Sequence, residues 1–392
     1  MSGAESPGSG TPSGSEHMAT WIELFYDLVY VAALLIFSSA ASHLGIFSGT
    51  LWIVLVFAAS WWVWFTTSVC ANRFHMTDFA HRFLLLFQML VIVLMAMESR
   101  VSVTGHSTLL CAEFGLLLAT LAVMHVRAAR RHTSDRSYAR RLAAMSGAGA
   151  VVFLATVPMP EPWRLGVAGV AFGALVAGAL FSLRFLARLS ATDEDHLVER
   201  MGLFTLIVCG EAFIEVAVTA SHETITGIDV VSLIFEFVLV FALFTSYFED
   251  IPAAGLNQRR LALWAVAHLV AQIGVAGTGV GASKLVDLNS SVRLPHTEIL
   301  KLMVPLAVTF PALAVVGACT RRRPWRPLAA ARTAAAGAAV VVGVVCWALP
   351  FVHVAEALPL FCAVAVVNAV AVVRLRSQTS VEPAAISGTS TA

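Results

Sequence analysis

Apolar segments of about 20 residues follow one another along this chain from Trp21 to Arg374. A helix of that length crosses roughly 30 Å of hydrocarbon, and a water-soluble fold has no need for so many of them. The composition agrees, because 12% of the residues are charged, whereas soluble domains carry about 25%. The sequence therefore predicts an all-α, polytopic transmembrane bundle whose first partner is the lipid bilayer.

Charges and helix breakers divide these segments into about twelve predicted spans. The last two also fit a single re-entrant unit around Pro350. Residues 1–16 and 377–392 are poor in large apolar residues and are predicted to be disordered tails, and the first of them lacks the pattern of a signal peptide. The approximate bounds of the spans are 21–43, 51–71, 81–100, 107–128, 141–159, 164–187, 200–221, 229–248, 261–282, 299–319, 329–349 and 352–373.

The distribution of basic residues orients these spans. Of the 25 lysines and arginines, twenty fall on the side that holds the N-terminus and five on the other. Cytoplasmic loops of membrane proteins carry such an excess, so both termini are predicted to be cytoplasmic. The five on the opposite side are Arg100, Arg164, Lys284, Arg293 and Lys301. The positive charge is confined to loops, so nucleic acid is not expected as a partner. The six cysteines form no CxxC pair, so the sequence indicates neither a zinc motif nor a disulfide framework.

An internal repeat is visible when the chain is shifted by 179 residues. The shift aligns Ala41-Ser42-His43 with Ala220-Ser221-His222, and Phe65-Thr66 with Phe244-Thr245, without a gap. Two parallel six-helix repeats are therefore predicted, a first half at 17–190 and a second half at 191–376. Repeats of this kind usually place a site at the interface between the halves.

Four stretches carry a resemblance to a known family. The run HMATWIELFYDLVYV (17–31) resembles the opening signature of the bacterial low temperature requirement A family, and WWVWFTTSVCANRF (61–74) resembles its Trp-rich second span. HLVERMGLFTLIVCGEAF (196–213) and YFEDIP (247–252) resemble two further blocks. The resemblance implies a multi-pass protein of the bacterial inner membrane. No settled substrate comes with this family. The cofactor is also unknown.

Ionisable groups at membrane depth are costly and are therefore candidates for function. One group lies near the cytoplasmic face of the first half. Its acids Glu23 and Asp27 share a helix face, and the structural interpretation is an ion pair with Arg73. The group comprises Glu23, Asp27, Asn72, Arg73, His75, Asp78 and His81.

A counterpart lies in the second half. The two adjacent acids Glu249 and Asp250 are costly to hold together, so at least one of them is expected to pair with Arg200 or to face water. This second group comprises His196, Glu199, Arg200, Glu249, Asp250 and His268.

Glu211 and Glu215 form the third group, deep in the seventh span. At 1.5 Å per residue they lie roughly 17 to 22 Å from its start, at or past the midplane, with no basic residue expected at that depth. Such a pair is protonated, lines a wet cavity or binds a cation. Trp61, Trp64 and Tyr247 are supporting candidates, either as core residues or as walls of a pocket.

Two functions fit these groups. The first is a proton- or cation-coupled transporter-like protein that moves a small solute or ion, with Glu211 and Glu215 at the coupling site. The alternative is an intramembrane enzyme that acts on a lipid or isoprenoid through acid-base or metal chemistry at carboxylates and histidines. No HExxH or similar motif supports a particular metal. The sequence leaves the choice open, and it also leaves a homo-oligomer open.

Overall fold

Helices make up nearly all of the chain that the computed structural model describes. One isolated antiparallel bridge joins Leu256 to Thr320. The structure describes residues 21–42, 48–74, 76, 78–102, 107–132, 135–186, 194–221, 227–249, 256–287, 294–320, 325–349 and 352–381. Its helices are α1 (Trp21–Ser42), α2 (Ser48–Phe74), α3 (Phe79–Ser102), α4 (Ser107–Arg131), α5 (Arg136–Thr156), α6 (Trp163–Leu186), α7 (Glu194–Ser221), α8 (Gly227–Phe248), α9 (Leu261–Asp287), α10 (His296–Ala318), α11 (Arg326–Ala348) and α12 (Val354–Val381).

Each predicted span corresponds to one of these helices, so the all-α prediction is confirmed. Within the described residues, nine helices are long and apolar enough to cross a membrane, namely α2–α4 and α7–α12. The segments on either side of Pro350 form two separate helices, α11 and α12, and each is long and apolar enough to cross a membrane on its own.

Contacts between helix ends define the two ends of the bundle. The start of α7 contacts the start of α1 and the end of α8. The end of α8 also contacts the end of α12. We call this the proximal end and the opposite one the distal end. The contacts that establish it are Asp27 with Arg200, Gly202 with Phe248, and Glu249 with Arg376.

Helix α9 lies at the centre of the second six helices and packs closely on α7 and α10. The glycine-rich run in α9 predicts either close helix approach or local unwinding. The helix is continuous, and a Cβ atom at Gly279 would lie 2.7 Å from Cβ of Ala212 on α7 and 2.8 Å from its Cα. Gly281 faces the backbone of Lys301 on α10 in the same way. These glycines therefore permit close packing, as small residues commonly do in membrane helices.

Candidate functional site

A buried arginine of α7 lies between two carboxylates of α1 near the proximal end. Arg200 is 2% exposed. Its Nη2 lies 2.5 Å from Oδ1 of Asp27, and its Nη1 lies 3.2 Å from Oε1 of Glu23. The indole Nε1 of Trp64 donates to the same Asp27 oxygen over 2.6 Å, and Nη2 also donates to Oγ of Ser68 over 3.3 Å. Pairing of this kind offsets the cost of removing the charges from water.

A histidine extends this contact towards α2. His196 precedes Arg200 by one helical turn, so both side chains lie on the same face of α7. The amide Nδ2 of Asn72 on α2 donates to Nδ1 of His196 over 3.0 Å, which leaves Nε2 of the ring 3.8 Å from Oε2 of Glu23. We call Glu23, Asp27, Asn72, His196 and Arg200 the Arg200 cluster. It combines residues from both sequence groups, which are otherwise far apart in the chain.

The predicted partner of the α1 acids was wrong. Arg73 binds Asp135, with Nη2 2.7 Å from Oδ1, and so connects α2 to the start of α5. Charge and approximate depth pointed to Arg73, but the direction in which each helix presents its side chains selects Arg200. The interpretation of Glu23 and Asp27 as ion-paired acids therefore stands, with a different cation.

Asp78 lies just before α3, and its carboxylate accepts hydrogen bonds from two arginines of α4. Nη2 of Arg127 is 2.5 Å and Nη2 of Arg131 is 2.9 Å from its Oδ2. Desolvation acts to raise the pKa of Asp78, but the hydrogen bonds and charges of the two arginines outweigh it and hold the pKa below its ordinary value of 3.8. The adjacent His81 is buried, and its backbone N–H donates to Oδ1 of Asp78 over 3.3 Å.

Glu249, which directly follows α8, is not among the partners of Arg200. Glu249 instead accepts a hydrogen bond from Nη1 of Arg376 on α12 over 3.0 Å, and the side chain of Glu249 is 45% exposed. Asp250 and His75 lie outside the described residues. Glu199 is half-buried and is not part of the Arg200 cluster.

His268 of α9 belongs to a separate buried chain of hydrogen bonds. Its Nδ1 lies 2.9 Å from the carbonyl oxygen of Trp264, which can only accept, so Nδ1 carries the proton. Its Nε2 is then the acceptor for the hydroxyl of Tyr247 on α8, 3.1 Å away. The ring is fully buried and neutral in this arrangement. Both ring nitrogens are occupied, and the bond to Tyr247 connects α9 to α8.

One turn further along α9, a glutamine joins α2 to α7. Gln272 is fully buried; its Oε1 accepts Nε1 of Trp61 over 2.5 Å, and its Nε2 donates to Oγ1 of Thr205 over 2.8 Å. Trp61 also stacks on Phe65, with ring centroids 5.1 Å apart. The tryptophans of α2 are therefore packed and hydrogen-bonded in the core, and the pocket alternative finds no support at Trp61 or Trp64.

The two deep glutamates lie on the face of α7 that carries Arg200. Eleven residues separate Arg200 from Glu211, which corresponds to three helical turns and about 17 Å along the axis. Between them, Phe204 packs on Trp64 of α2 with centroids 4.1 Å apart, so this face is turned towards the first six helices. Glu211 is 2% exposed and Glu215 is half-buried.

The surroundings of these glutamates differ from the sequence expectation. Each of them has an interaction partner. The pairs Thr205–Gln272 and Ala212–Gly279 both differ by 67 residues, so α7 and α9 run parallel in one register. The same register places Lys284 half a turn beyond the level of Glu215. A cation of α9 therefore lies near that depth, where none was expected.

Two buried polar residues were missed. Gln88 of α3 accepts the hydroxyl of Tyr26 over 2.7 Å and donates to Oγ1 of Thr120 over 2.7 Å. Arg332, which was counted only among the basic residues of the N-terminal side at the start of the predicted span 329–349, is fully buried in α11. It donates to two backbone carbonyl oxygens, those of Leu313 and Ser246, at 3.1 and 2.8 Å. A lone glutamine within an apolar span was the available signal for Gln88.

Within the described part of the chain, no three His, Cys, Asp or Glu side chains are grouped to hold a metal ion. The Arg200 cluster instead brings two carboxylates, an imidazole and a guanidinium into contact in a region shielded from water. A proton added to either acid would weaken its attraction to the guanidinium.

Comparison with known proteins identifies the broader group. The model of a family described as bacterial low temperature requirement A protein (LtrA) matches residues 18–373, nearly the whole chain. This confirms the resemblance drawn from the four stretches, two of which supply the α1 and α7 residues of the Arg200 cluster. No curated protein matches the chain.

Proposed function

We propose a transport function for this chain, which belongs to the bacterial low temperature requirement A family and is a multi-pass membrane protein. It moves a small solute or ion across the inner membrane, and protonation or cation binding at buried carboxylates drives the movement. The observation that carries the proposal is the contact of Arg200 on α7 with Glu23 and Asp27 on α1, which joins two distant parts of the chain through buried charge.

Two six-helix halves, 17–190 and 191–376, are the moving units in this proposal. Tyr26 and Thr205 correspond under the 179-residue shift, and each hydrogen-bonds to a glutamine in the third helix of its own half, Gln88 or Gln272. Helices α1 and α3 pack together, as do α7 and α9. Parallel repeats of this kind support rocking of one half against the other.

The proximal end is assigned to the cytoplasm, which places both termini there. The twenty basic residues of the N-terminal side include Arg73, Arg131 and Arg376, all near the proximal end, and such an excess is typical of cytoplasmic loops. The Arg200 cluster then lies near the cytoplasmic mouth of the interface between the halves, and Glu211 and Glu215 continue the same face of α7 towards the midplane.

The cluster supplies a means of coupling. Separation of the halves must break the contacts of Arg200 with Glu23 and Asp27, and removing one partner from a buried ion pair costs about 3 to 5 kcal/mol. A proton on a carboxylate lowers that cost, because the neutral acid no longer requires a cation. A monovalent cation that replaces the guanidinium acts in the same direction.

Reconstitution of the full-length protein tests this function. Proteoliposomes that enclose a pH-sensitive dye are exposed to a panel of amino acids, sugars, organic acids, organic cations and Na⁺. We expect at least one solute to cause proton movement, and we expect this movement to be lost in the double variant Glu23→Gln with Asp27→Asn. The matched control is Glu356→Gln, an acid with a 59% exposed side chain.

The glutamates of α7 are tested in the same assay. The double variant Glu211→Gln with Glu215→Gln is expected to uncouple solute movement from the proton gradient. Solute transport with unchanged pH dependence in both double variants would exclude these carboxylates as the coupling site. Absence of movement for the whole panel, together with an altered lipid profile in cells that overproduce the protein, would favour the enzyme alternative.

A further inference from the structure

A carboxyl group of α8 lies in the interior without a hydrogen-bond partner among the residues that the structure describes. Glu236 is fully buried, and within the described part of the chain neither of its side-chain oxygens accepts or donates a hydrogen bond. The next residues on the inward side of α8, Leu239, Val240 and Leu243, are apolar and equally buried. Nothing in the transport mechanism above uses this residue.

The direction in which Glu236 points follows from its neighbours. It precedes Tyr247 by eleven residues, about three helical turns, so both lie on the same face of α8. Tyr247 contacts His268 of α9. Ser246, on the adjoining face, accepts Nδ2 of Asn368 on α12 over 2.8 Å. Glu236 is therefore directed between α9 and α12.

The ionisable side chains that the structure describes on α9 and α12 do not meet Glu236. His268 lies at the level of Tyr247, about 17 Å away along the axis. On α12, the pairing of Ser246 with Asn368 sets a parallel register that places Glu236 level with Leu358, which is buried. Glu356 of α12 lies on the far side of that helix with an exposed side chain. Lys284 of α9 lies more than one turn towards the distal end.

Helix α7 also packs on α8, through a different face. Phe237, which follows Glu236, contacts Phe213 with ring centroids 4.2 Å apart. The acids of α7 at comparable depth, Glu211 and Glu215, are turned towards the first six helices, away from α8. These two acids therefore do not face the carboxyl group of Glu236.

We propose that Glu236 is a proton-binding site of the membrane interior, occupied by a proton at neutral pH and separate from the Arg200 cluster. An ionised carboxylate in an apolar interior without donors is far less stable than the neutral acid, because nothing replaces the water that it has lost. The ligand is the proton alone, since a metal ion would require further oxygen or nitrogen donors. This proposal goes beyond the proposed transport function and does not depend on it.

Infrared difference spectroscopy of the purified full-length protein tests the site. The spectrum of the wild type minus that of Glu236→Gln at about pH 7 is expected to show the C=O stretching band of a protonated carboxylic acid. Glu236→Asp should shift this band and keep it. The matched control, wild type minus Glu356→Gln, should show the bands of an ionised carboxylate. Carboxylate bands in the Glu236 difference spectrum would overturn the proposal.

Stability provides a second readout. Glutamine has the shape and neutrality of the protonated acid, so Glu236→Gln should melt at nearly the temperature of the wild type. A large drop in melting temperature, or failure to fold, would mean that the native side chain is ionised and compensated, and the proposal would be wrong. Neither measurement involves transport, so a negative transport assay leaves this test unaffected.

Discussion

Nη2 of Arg200 in α7 lies 2.5 Å from Oδ1 of Asp27 in α1, across 173 residues of sequence. Glu23 shares the same guanidinium, and Trp64 of α2 donates to the same oxygen of Asp27. Three helices therefore depend on a single buried cation. The consequences of this arrangement and of the packing around it are measurable.

Replacement of Arg200 by methionine should destabilise the protein by about 3 to 5 kcal/mol, because two buried carboxylates lose their cation. Unfolding of the purified protein by a denaturing detergent measures the change. The triple variant that also carries Glu23→Gln and Asp27→Asn should recover most of the loss. Equal instability of the single and triple variants would show that ion pairing is not the cause.

Gly279→Ala should weaken the packing of α7 on α9 and cost about 1 to 3 kcal/mol, because the new methyl group would overlap Ala212. Gly169→Ala on α6 is the matched control, since nothing lies within 4 Å of a Cβ at that position. The control should be neutral or slightly stabilising, as alanine is the better helix former. Similar losses in both variants would contradict the close approach at Gly279.

Gln272→Leu and Trp61→Phe should interact in a double-mutant cycle. Hydrogen bonds between membrane helices contribute about 0.6 kcal/mol on average, so a coupling energy of that order is expected for this pair. Trp61→Phe combined with Gln88→Leu supplies the comparison, because Gln88 bonds to other residues. Additive effects in the first cycle would mean that the bond contributes nothing to stability.

Single introduced cysteines should reveal the orientation. All six native cysteines are buried, so they give little background with a membrane-impermeant maleimide. Ser137→Cys, exposed at the proximal end, should be labelled only after the cells are permeabilised. Thr297→Cys, exposed at the distal end, should be labelled in intact cells. The reverse pattern would place the termini outside the cytoplasm.

Asp78 should confer a stability that disappears in acid. Its pKa in the folded protein lies below 3.8, so the ionised form is favoured by folding. The contribution is complete at pH values above the ordinary carboxyl range and is lost as the pH falls through the lowered pKa. The difference in melting temperature between wild type and Asp78→Asn should stay constant down to about pH 4.5 and shrink below it. A difference that grows in acid would contradict the ion pairs with Arg127 and Arg131.

The helices were predictable because a segment in lipid must satisfy its own backbone hydrogen bonds, which a helix does. Each segment must also be a continuous apolar run, which is visible in the sequence. The partners of the charged groups were not predictable. Several arginines lie at the proximal end, and only the rotation of each helix about its axis decides that Asp27 receives Arg200 while Arg73 turns to Asp135. Hydropathy does not determine that rotation, because a helix that is apolar on all sides has no polar face to mark which side points outward.

Arg332 illustrates a second limit. It lies at the start of the predicted span 329–349 and was counted with the basic residues of the N-terminal side, yet α11 begins at Arg326 and carries Arg332 inward to two backbone carbonyls. Those carbonyls belong to α10 and α8, so no local pattern in the sequence identifies them. Glu236 is different, because an acid in the middle of the apolar span 229–248 can be recognised in the sequence itself.

The separation of Asp27 from Arg200 also bears on biosynthesis. The ribosome completes six helices before the residue that neutralises the α1 acids is made, so α1 enters the bilayer while its charges have no guanidinium to bind. Until α7 arrives, these acids must keep their water or take up protons. The first six helices alone are therefore an unfinished product, and the arrival of α7 closes the proximal end.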